Sequence, residues 1–204
     1  MYILPVGNSG LVVDPCVSEV AGGLLSDFNI TKCLVLLTHE HYDHISGVNW
    51  LRKQAKCEVV CSQTCADRIR DPKKNSSAYF DALFLDRDEE TQRRIAEISD
   101  REYSCYADVS YADRLDIQWN SLTIQMLEAP GHSPGGQIIM LNKTNFFTGD
   151  YLIPGEKVIT RLPGGSKRKY EMITKPYLEA MEPSSMIFPG HGEPCVLSDI
   201  LTLT

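Results

Sequence analysis

The five histidines of this chain share one kind of position. Three of them fall in the run T-H-E-H-Y-D-H, which starts at Thr38 directly after an apolar segment. The other two, His132 and His191, each follow a glycine, in the motifs G-H-S-P-G and G-H-G. Asp150 comes directly after the segment F-F-T-G. Each of these side chains therefore lies where a predicted strand ends and a polar or glycine-rich loop begins.

Imidazole and carboxylate groups together are typical ligands of Zn²⁺, Fe²⁺ and Mn²⁺. The run H-x-H-x-D-H holds four such donors in six residues, and on one helix they could not all face a single point. In a loop, the alternate residues His39, His41 and Asp43 could project to one side, and His44 breaks the alternation. Such a loop could serve two metal ions, which the two oxygens of Asp150 could bridge. The pattern therefore predicts a metal centre.

The composition is that of one ordinary globular domain. The chain has 204 residues, of which 43% are hydrophobic and 23% are charged, so wholesale disorder is excluded. With 20 basic and 27 acidic residues the net charge is −7, which argues against binding nucleic acid or an anionic membrane through overall charge. No apolar run approaches the ~20 residues of a membrane helix. We predict a single domain over residues 1–204.

Seven cysteines are spread along the chain, and its first residues have neither a basic region nor a long apolar region typical of a secretory signal. We therefore expect reduced thiols and a cytoplasmic location. Cys57, Cys61 and Cys65 recur every four residues. The chain is predicted to pass from strand to helix within this stretch, so the three thiols need not converge, and we interpret them as structural.

Short apolar strands alternate with helical patterns, which predicts an α/β layered domain. Strands are predicted at 2–6, 11–13, 32–38, 58–61, 115–119, 122–128, 137–141, 145–148 and 185–188. Helices are predicted at 17–28, 46–56, 63–70, 89–99 and 166–181, the last kinked or divided at Pro176. The hairpin signals favour mainly antiparallel sheets with helices outside. Residues 81–108 are rich in charge and are predicted to form a helical insertion.

In combination and order, the motifs resemble those of the metallo-β-lactamase superfamily. They are V-V-D ending at Asp14, T-H-E-H-Y-D-H, A-P-G-H-S-P-G, F-T-G-D and F-P-G-H-G. The resemblance covers nearly the whole chain. It implies an αββα sandwich, in which two mainly antiparallel mixed sheets have helices on their outer faces and metals lie at one edge.

The resemblance also implies a role for each candidate residue. The first metal would be bound by His39, His41 and His132, the second by Asp43, His44 and His191, and Asp150 would bridge the two. Asp14 and Thr38 would orient these ligands through hydrogen bonds. The implied cofactors are two divalent ions, zinc first, with iron or manganese as alternatives.

Within the superfamily, the chain most resembles small thioester hydrolases of the glyoxalase II type. Three segments support this: L-E-A-P-G-H-S-P-G-G from Leu127, N-S-S-A-Y-F from Asn75, and R-L-P-G-G-S from Arg161. It departs from larger glyoxalase II enzymes, which carry a glutathione-binding helical domain, because it ends 13 residues after His191. Its segment 82–108 is also longer than expected for compact members. These departures leave the thiol carrier open.

The implied reaction is hydrolysis of a thioester by a hydroxide held between two metals. Asp43 would be the catalytic residue that orients the hydroxide and accepts its proton, and Tyr151 would donate to the oxyanion. One alternative is an iron-dependent persulfide dioxygenase of the same fold, with a single metal. Another is a hydrolase of lactones or phosphodiesters. A non-enzymatic zinc protein is disfavoured, because structural zinc sites are usually closed by four protein ligands.

A run of basic residues follows Asp150 without an intervening acid from Lys157 to Lys169. We predict that Arg161 and Lys167 bind an anionic thioester, the alternative being a solvated cationic face. Residues 79–111 are predicted to cover the metal edge and shape the substrate pocket, the alternative being a peripheral helical hairpin.

Overall fold

A computed structural model describes residues 1–201. The last three residues of the predicted domain, 202–204, lie outside the described residues. The strands are β1 (Tyr2–Val6), β2 (Ser9–Val13), β3 (Lys32–Leu36), β4 (Lys56–Ser62), β5 (Val109–Tyr111), β6 (Arg114–Trp119), β7 (Leu122–Glu128), β8 (Gln137–Leu141), β9 (Asn145–Gly149), β10 (Met186–Pro189) and β11 (Cys195–Val196).

The α-helices are α1 (Glu19–Asp27), α2 (Tyr42–Ile45), α3 (Val48–Gln54), α4 (Gln63–Arg68), α5 (Glu89–Ile98), α6 (Lys167–Lys169), α7 (Lys175–Glu179) and α8 (Leu197–Leu201). Ser77–Phe84 forms 3₁₀ turns interrupted at Tyr79. A π-helical turn, Tyr170–Thr174, joins α6 to α7, and Lys175 N donates to Tyr170 O within it. The helix is divided near Pro176, as predicted, and the division is a π turn on the N-terminal side of the proline. Proline has no backbone N–H and cannot donate a regular helical hydrogen bond there.

The strands form two mixed sheets, as predicted. The first has the order β1-β2-β3-β4-β5 and the second the order β11-β10-β9-β8-β7-β6. In the second sheet, β9 and β10 are parallel and the other pairs are antiparallel. In the first sheet only β1 and β2 are antiparallel, and β2 through β5 run parallel. The predicted antiparallel character thus belongs mainly to the second sheet. The first sheet has connections through helices, which hairpin signals do not reveal.

The alternation of side chains along the strands creates the layers. On β3, Leu34 and Leu36 pack between the two sheets, against residues such as Met126 and Ile139. Cys33 and Val35 point the other way, into the core under the first sheet's helices. A third apolar cluster, which includes Ile138, Leu178 and Ile187, lies between the second sheet and its helices. The result is the expected αββα sandwich.

Strand direction brings the predicted site residues to one edge. Because β2 and β3 are parallel, as are β9 and β10, their carboxyl ends meet at the same edges of their sheets. β7 runs in the direction of β9, since both are antiparallel to β8. Asp14 follows β2, and His132, Asp150 and His191 come after β7, β9 and β10 respectively. The edge that carries these loops is therefore where the site forms.

The segment predicted as an insertion over 81–108 contains α5 and part of the 3₁₀ turns. Its C-terminal part belongs to the core of the first sheet, since Tyr103 and Cys105 are buried there. The Tyr103 hydroxyl donates to Ile45 O at 2.7 Å. None of the helices in residues 1–201 combines the length and apolarity that a membrane crossing requires.

Candidate metal centre

The first group of donors contains three histidines from two loops. His39 and His41 come from the loop after β3, and His132 from the loop after β7. Their nearest donor atoms all lie within 4.8 Å of one another. His132 Nε2 is 3.1 Å from His41 Nδ1. All three side chains are buried. These are the residues that the sequence assigned to a first metal.

The second group contains Asp43 and His44 from α2 and His191 from the loop after β10. Asp43 Oδ2 is 3.2 Å from His191 Nε2 and 3.6 Å from His44 Nε2. His44 is buried, and the His191 side chain is 52% exposed. The second group therefore forms the open side of the cluster, where a substrate can approach.

Asp150 lies between the two groups. Its Oδ1 is 3.2 Å from His44 Nε2, and its Oδ2 is 3.3 Å from His132 Nε2. One carboxylate thus points one oxygen toward each group of donors. A bridging role requires this arrangement.

Asp14 and Thr38 hold the ring nitrogens that face away from the cluster. Thr38 N and Thr38 Oγ1 donate to Asp14 at 2.7 and 2.5 Å. Since the Thr38 hydroxyl has one proton, its 3.1 Å contact with His39 Nδ1 makes that nitrogen the donor. His44 Nδ1 likewise donates to Asp14 Oδ2 at 2.9 Å. In their neutral forms, His39 and His44 are therefore fixed in the tautomer whose Nε2 carries a lone pair.

His132 is held in the same tautomer by a backbone group. Its Nδ1 donates to Ile159 O at 2.8 Å, since a carbonyl can only accept. Nε2 of His39, His41 and His44 and Oδ1 of Asp150 are buried and have no hydrogen-bond partner among the described residues. Buried polar atoms are rarely left unpaired. Lone pairs converging from imidazoles and carboxylates fit a divalent metal centre.

The electrostatics differ between the two groups. Burial, followed by repulsion from His132, lowers the pKa of His41 to about 3. Burial likewise lowers the pKa values of His39 and His132. For His44, burial opposes the charge, but Asp43, Asp150 and Asp14 raise its pKa well above the usual value. The pKa of His191 is raised by its hydrogen bond to Asp43. The histidine pKa values are therefore lowered in the first group and raised in the second.

This difference predicts how many protons metal binding releases. A ligating imidazole must be neutral, so metal uptake at pH 6 should displace protons mainly from His44 and His191, and fewer in total than five unperturbed histidines would release. Five histidines with ordinary pKa values would release nearly four. Calorimetric titration of metal into the metal-free protein, repeated in buffers of different ionisation enthalpy, measures this number. A value near four would show that the first group is not held neutral.

Glu40 is a buried residue of the site that the sequence analysis missed. Its side chain is fully buried, and Arg68 Nε donates to Oε1 at 2.6 Å. Oε2 accepts from Ser133 Oγ at 3.0 Å and Gly135 N at 3.1 Å. A Cβ at Gly135 would lie 2.6 Å from this oxygen, so the glycine allows the close approach. Glu40 thus ties the loop of His39 and His41 to the loop of His132.

Glu40→Gln should lower the free energy of unfolding by about 3 kcal/mol, because it leaves the partly buried Arg68 without its counter-charge. Chemical denaturation of the metal-free protein measures the change. Asp116→Asn is the matched control, since its ion pair with Arg114 is more than half exposed and screened by solvent, so its loss should have a much smaller effect. Equal effects of the two substitutions would mean that the Glu40 network contributes nothing special.

Tyr151 contacts the backbone of the His132 loop. Its hydroxyl donates to Ala129 O and accepts from His132 N at 3.2 Å. The side chain is buried, and its proton is already engaged by a carbonyl group. The hydroxyl therefore supports the His132 loop in this structure, and donation by Tyr151 to an oxyanion stays a prediction.

A cavity of about 520 Å³ opens directly over the cluster and is lined by Asp43, His132, Asp150 and His191 among others. Arg161 and Lys167 are exposed and are not among its lining residues. Lys167 instead opens α6, behind the Ser166 cap. The cations that line the cavity are Arg87 and Lys157. Of the basic segment, Lys157 lines the cavity, and substrate binding by Arg161 and Lys167 stays a prediction.

The family model described as "Metallo-beta-lactamase superfamily" matches residues 1–191. A Bacillus subtilis protein named "Probable polyketide biosynthesis zinc-dependent hydrolase PksB" is 24% identical over 189 residues, covering 92% of this chain and 69% of that protein. The hydroxyacylglutathione hydrolase of a Synechococcus species is 37% identical over 73 residues, or 35% of this chain and 28% of that enzyme.

Two solved structures have the same fold. The B3 metallo-β-lactamase BLEG-1 superposes with a TM-score of 0.77 and 21% identity, covering 98% of this chain and 90% of that one. TTHA1623, solved in a di-iron-bound form, superposes with a TM-score of 0.70 and 21% identity, covering 97% of this chain and 89% of that one. At this identity, the two structures establish the architecture.

Proposed function

The chain belongs to the metallo-β-lactamase superfamily, and from that membership we propose that it is a binuclear metal-dependent hydrolase that cleaves a thioester. The superfamily consists in general of metal-dependent hydrolases, and the histidine and aspartate cluster suits metal ions. The observation that carries the proposal is the position of Asp150, whose two oxygens face the two donor groups.

The proposed ligands of one ion are His39, His41 and His132, and those of the other are Asp43, His44 and His191. Two divalent ions would polarise a carbonyl group and lower the pKa of water toward neutrality. Zinc is our first choice, in keeping with the name of the Bacillus subtilis relative. Iron or manganese are the alternatives, and the di-iron form of TTHA1623 is a precedent for iron.

The side chains divide the work of the reaction. Asp43 lines the cavity and is 31% exposed, so its carboxylate can accept a proton from attacking water. Attack on the thioester carbonyl breaks the C–S bond and releases a carboxylic acid and a thiol. His44 and Asp150 are held by buried contacts and keep their positions while this occurs. Asp14 and Thr38 orient His39 and His44 and do not touch the substrate.

The choice of a thioester is supported by the local similarity to a hydroxyacylglutathione hydrolase. The cavity over the cluster is of the size that small-molecule sites have. Outside the donor cluster, Arg87 and Lys157 on its lining outnumber Glu156 and would favour an anionic substrate. We also propose a cytoplasmic location, which is consistent with the seven free thiols.

A substrate panel at fixed metal concentration tests the proposal. The panel contains thioesters, a lactone, a phosphodiester and glutathione persulfide. We expect the thioesters to have the highest kcat/KM. Preferred turnover of the lactone or phosphodiester would retain hydrolysis but overturn the thioester assignment. Oxygen consumption with the persulfide would identify a dioxygenase.

A further inference from the structure

The cavity over the donor cluster has an apolar wall contributed by two segments. From the 3₁₀ turns come Phe80, Leu83 and Phe84, and from the loop after Asp150 come Ile153, Ile159 and Leu162. The charged residues of the lining outside the donor cluster, Arg87, Glu156 and Lys157, are all exposed. The cavity therefore combines an apolar wall with a charged rim.

The 3₁₀ turns that contribute Phe80, Leu83 and Phe84 form the roof of this cavity. The roof is attached to α2, the helix that carries Asp43 and His44. The rings of Tyr42 and Phe80 contact edge to face at 5.1 Å, and Phe80 contacts Phe84 at 5.3 Å. The Tyr42 hydroxyl accepts from Asp100 N at 2.9 Å. Since Tyr42 lies between His41 and Asp43, the roof has a defined position relative to the reacting centre.

Several apolar side chains of the wall remain open to solvent. Leu83 is 50% exposed and Ile159 is 36% exposed, although both line a cavity. A concave apolar surface next to convergent polar groups is typical of a ligand site. The apolar side chains of the wall offer no hydrogen-bonding groups to a bound molecule, so the wall suits a hydrocarbon.

We propose that this cavity binds the acyl part of the substrate and that the acyl group is an apolar chain of medium length. This inference rests on the proposed function, since the scissile carbonyl is placed at the donor cluster. With the carbonyl there, the acyl chain lies between the roof and the loop of Ile153 and Ile159, and the thiol carrier extends past the rim. Arg87 and Lys157 at the rim then face the carrier.

A chain-length series tests the proposal. The substrates are acetyl, butyryl, hexanoyl and octanoyl thioesters of one small neutral thiol, which removes any contribution from the carrier. Burial of each methylene should raise kcat/KM about fourfold until the cavity is full. Hexanoyl should therefore exceed butyryl by about 15-fold. A flat series, with thioesters still hydrolysed, would overturn the acyl assignment and leave the proposed function intact.

Two leucines in one segment form a matched pair of variants. Leu83 lines the cavity, whereas Leu85 does not and is 71% exposed. Leu83→Ser should lower kcat/KM for the hexanoyl thioester about tenfold and so flatten the chain-length series, whereas Leu85→Ser should leave the series unchanged. If both variants had the same chain-length series, the roof would not contact the acyl chain.

A binding measurement separates this inference from the hydrolase proposal. Octanoate should bind the purified protein at least tenfold more tightly than acetate in calorimetry, and Leu83→Ser should remove most of that difference. If no thioester is turned over, the hydrolase proposal fails, and the calorimetry still decides about the cavity. Equal affinities for octanoate and acetate would overturn the apolar site.

Discussion

Replacing Asp150 by alanine is expected to reduce bound divalent metal from two ions to fewer than one per chain and to lower kcat/KM at least about 10³-fold. The carboxylate faces both donor groups, at 3.2 Å from His44 and 3.3 Å from His132, so its loss affects both. Its pKa is lowered despite burial because His44, His39 and His132 surround it, so it is ionised and supplies charge as well as oxygen donors.

Elemental analysis and steady-state kinetics on the same preparation measure both effects. Asp116→Ala is a suitable control, since its side chain is 59% exposed and neither it nor its partner Arg114 lines the cavity over the cluster. The control should keep its metal and its activity. An Asp150→Ala variant with two ions and full turnover would rule out the bridge.

Asp43→Asn is expected to lower kcat by about 10²–10⁴-fold even when the metal site is saturated, because the amide has the shape of the carboxylate but cannot accept a proton. Burial alone would raise the pKa of Asp43, but His44 and His191 lower it, so the wild-type carboxylate is ionised. Assays with increasing metal concentration separate loss of metal from loss of the proton acceptor.

If Asp43 acted only as a metal donor, excess metal would restore the wild-type kcat. KM for the thioester should change little, since the interaction is made in the transition state. Metal-saturated Asp43→Asn with normal kcat would therefore contradict its role as the catalytic residue. It would leave the bridge at Asp150 untouched.

The positions of the histidines could be predicted because each follows an apolar strand, and strand ends are visible as a change in residue type. The structure places the carboxyl ends of β3, β7, β9 and β10 at one edge, so the donors lie together. Asp14 could be assigned for the same reason. Its contacts with Thr38 and His44 have the expected orienting geometry.

Other features depend on the orientation of side chains and loops, which has no local signal in the sequence. Tyr151 adjoins Asp150, but its hydroxyl turns to Ala129 O. Arg161 and Lys167 are basic residues in the expected segment, yet Arg87 from another segment and Lys157 line the cavity. Glu40 was overlooked because a glutamate in a polar run is expected to be exposed to solvent. Its buried position depends on Arg68, which lies 28 residues further on. Such long-range pairing has no local signal.

Metal content and thioester turnover, measured together on protein purified without added metal, decide whether the chain is a binuclear thioester hydrolase. We predict two divalent ions per chain, loss of thioester hydrolysis on chelation, and recovery when zinc is restored. A single iron per chain, together with oxygen consumption on glutathione persulfide and no thioester turnover, would contradict this prediction.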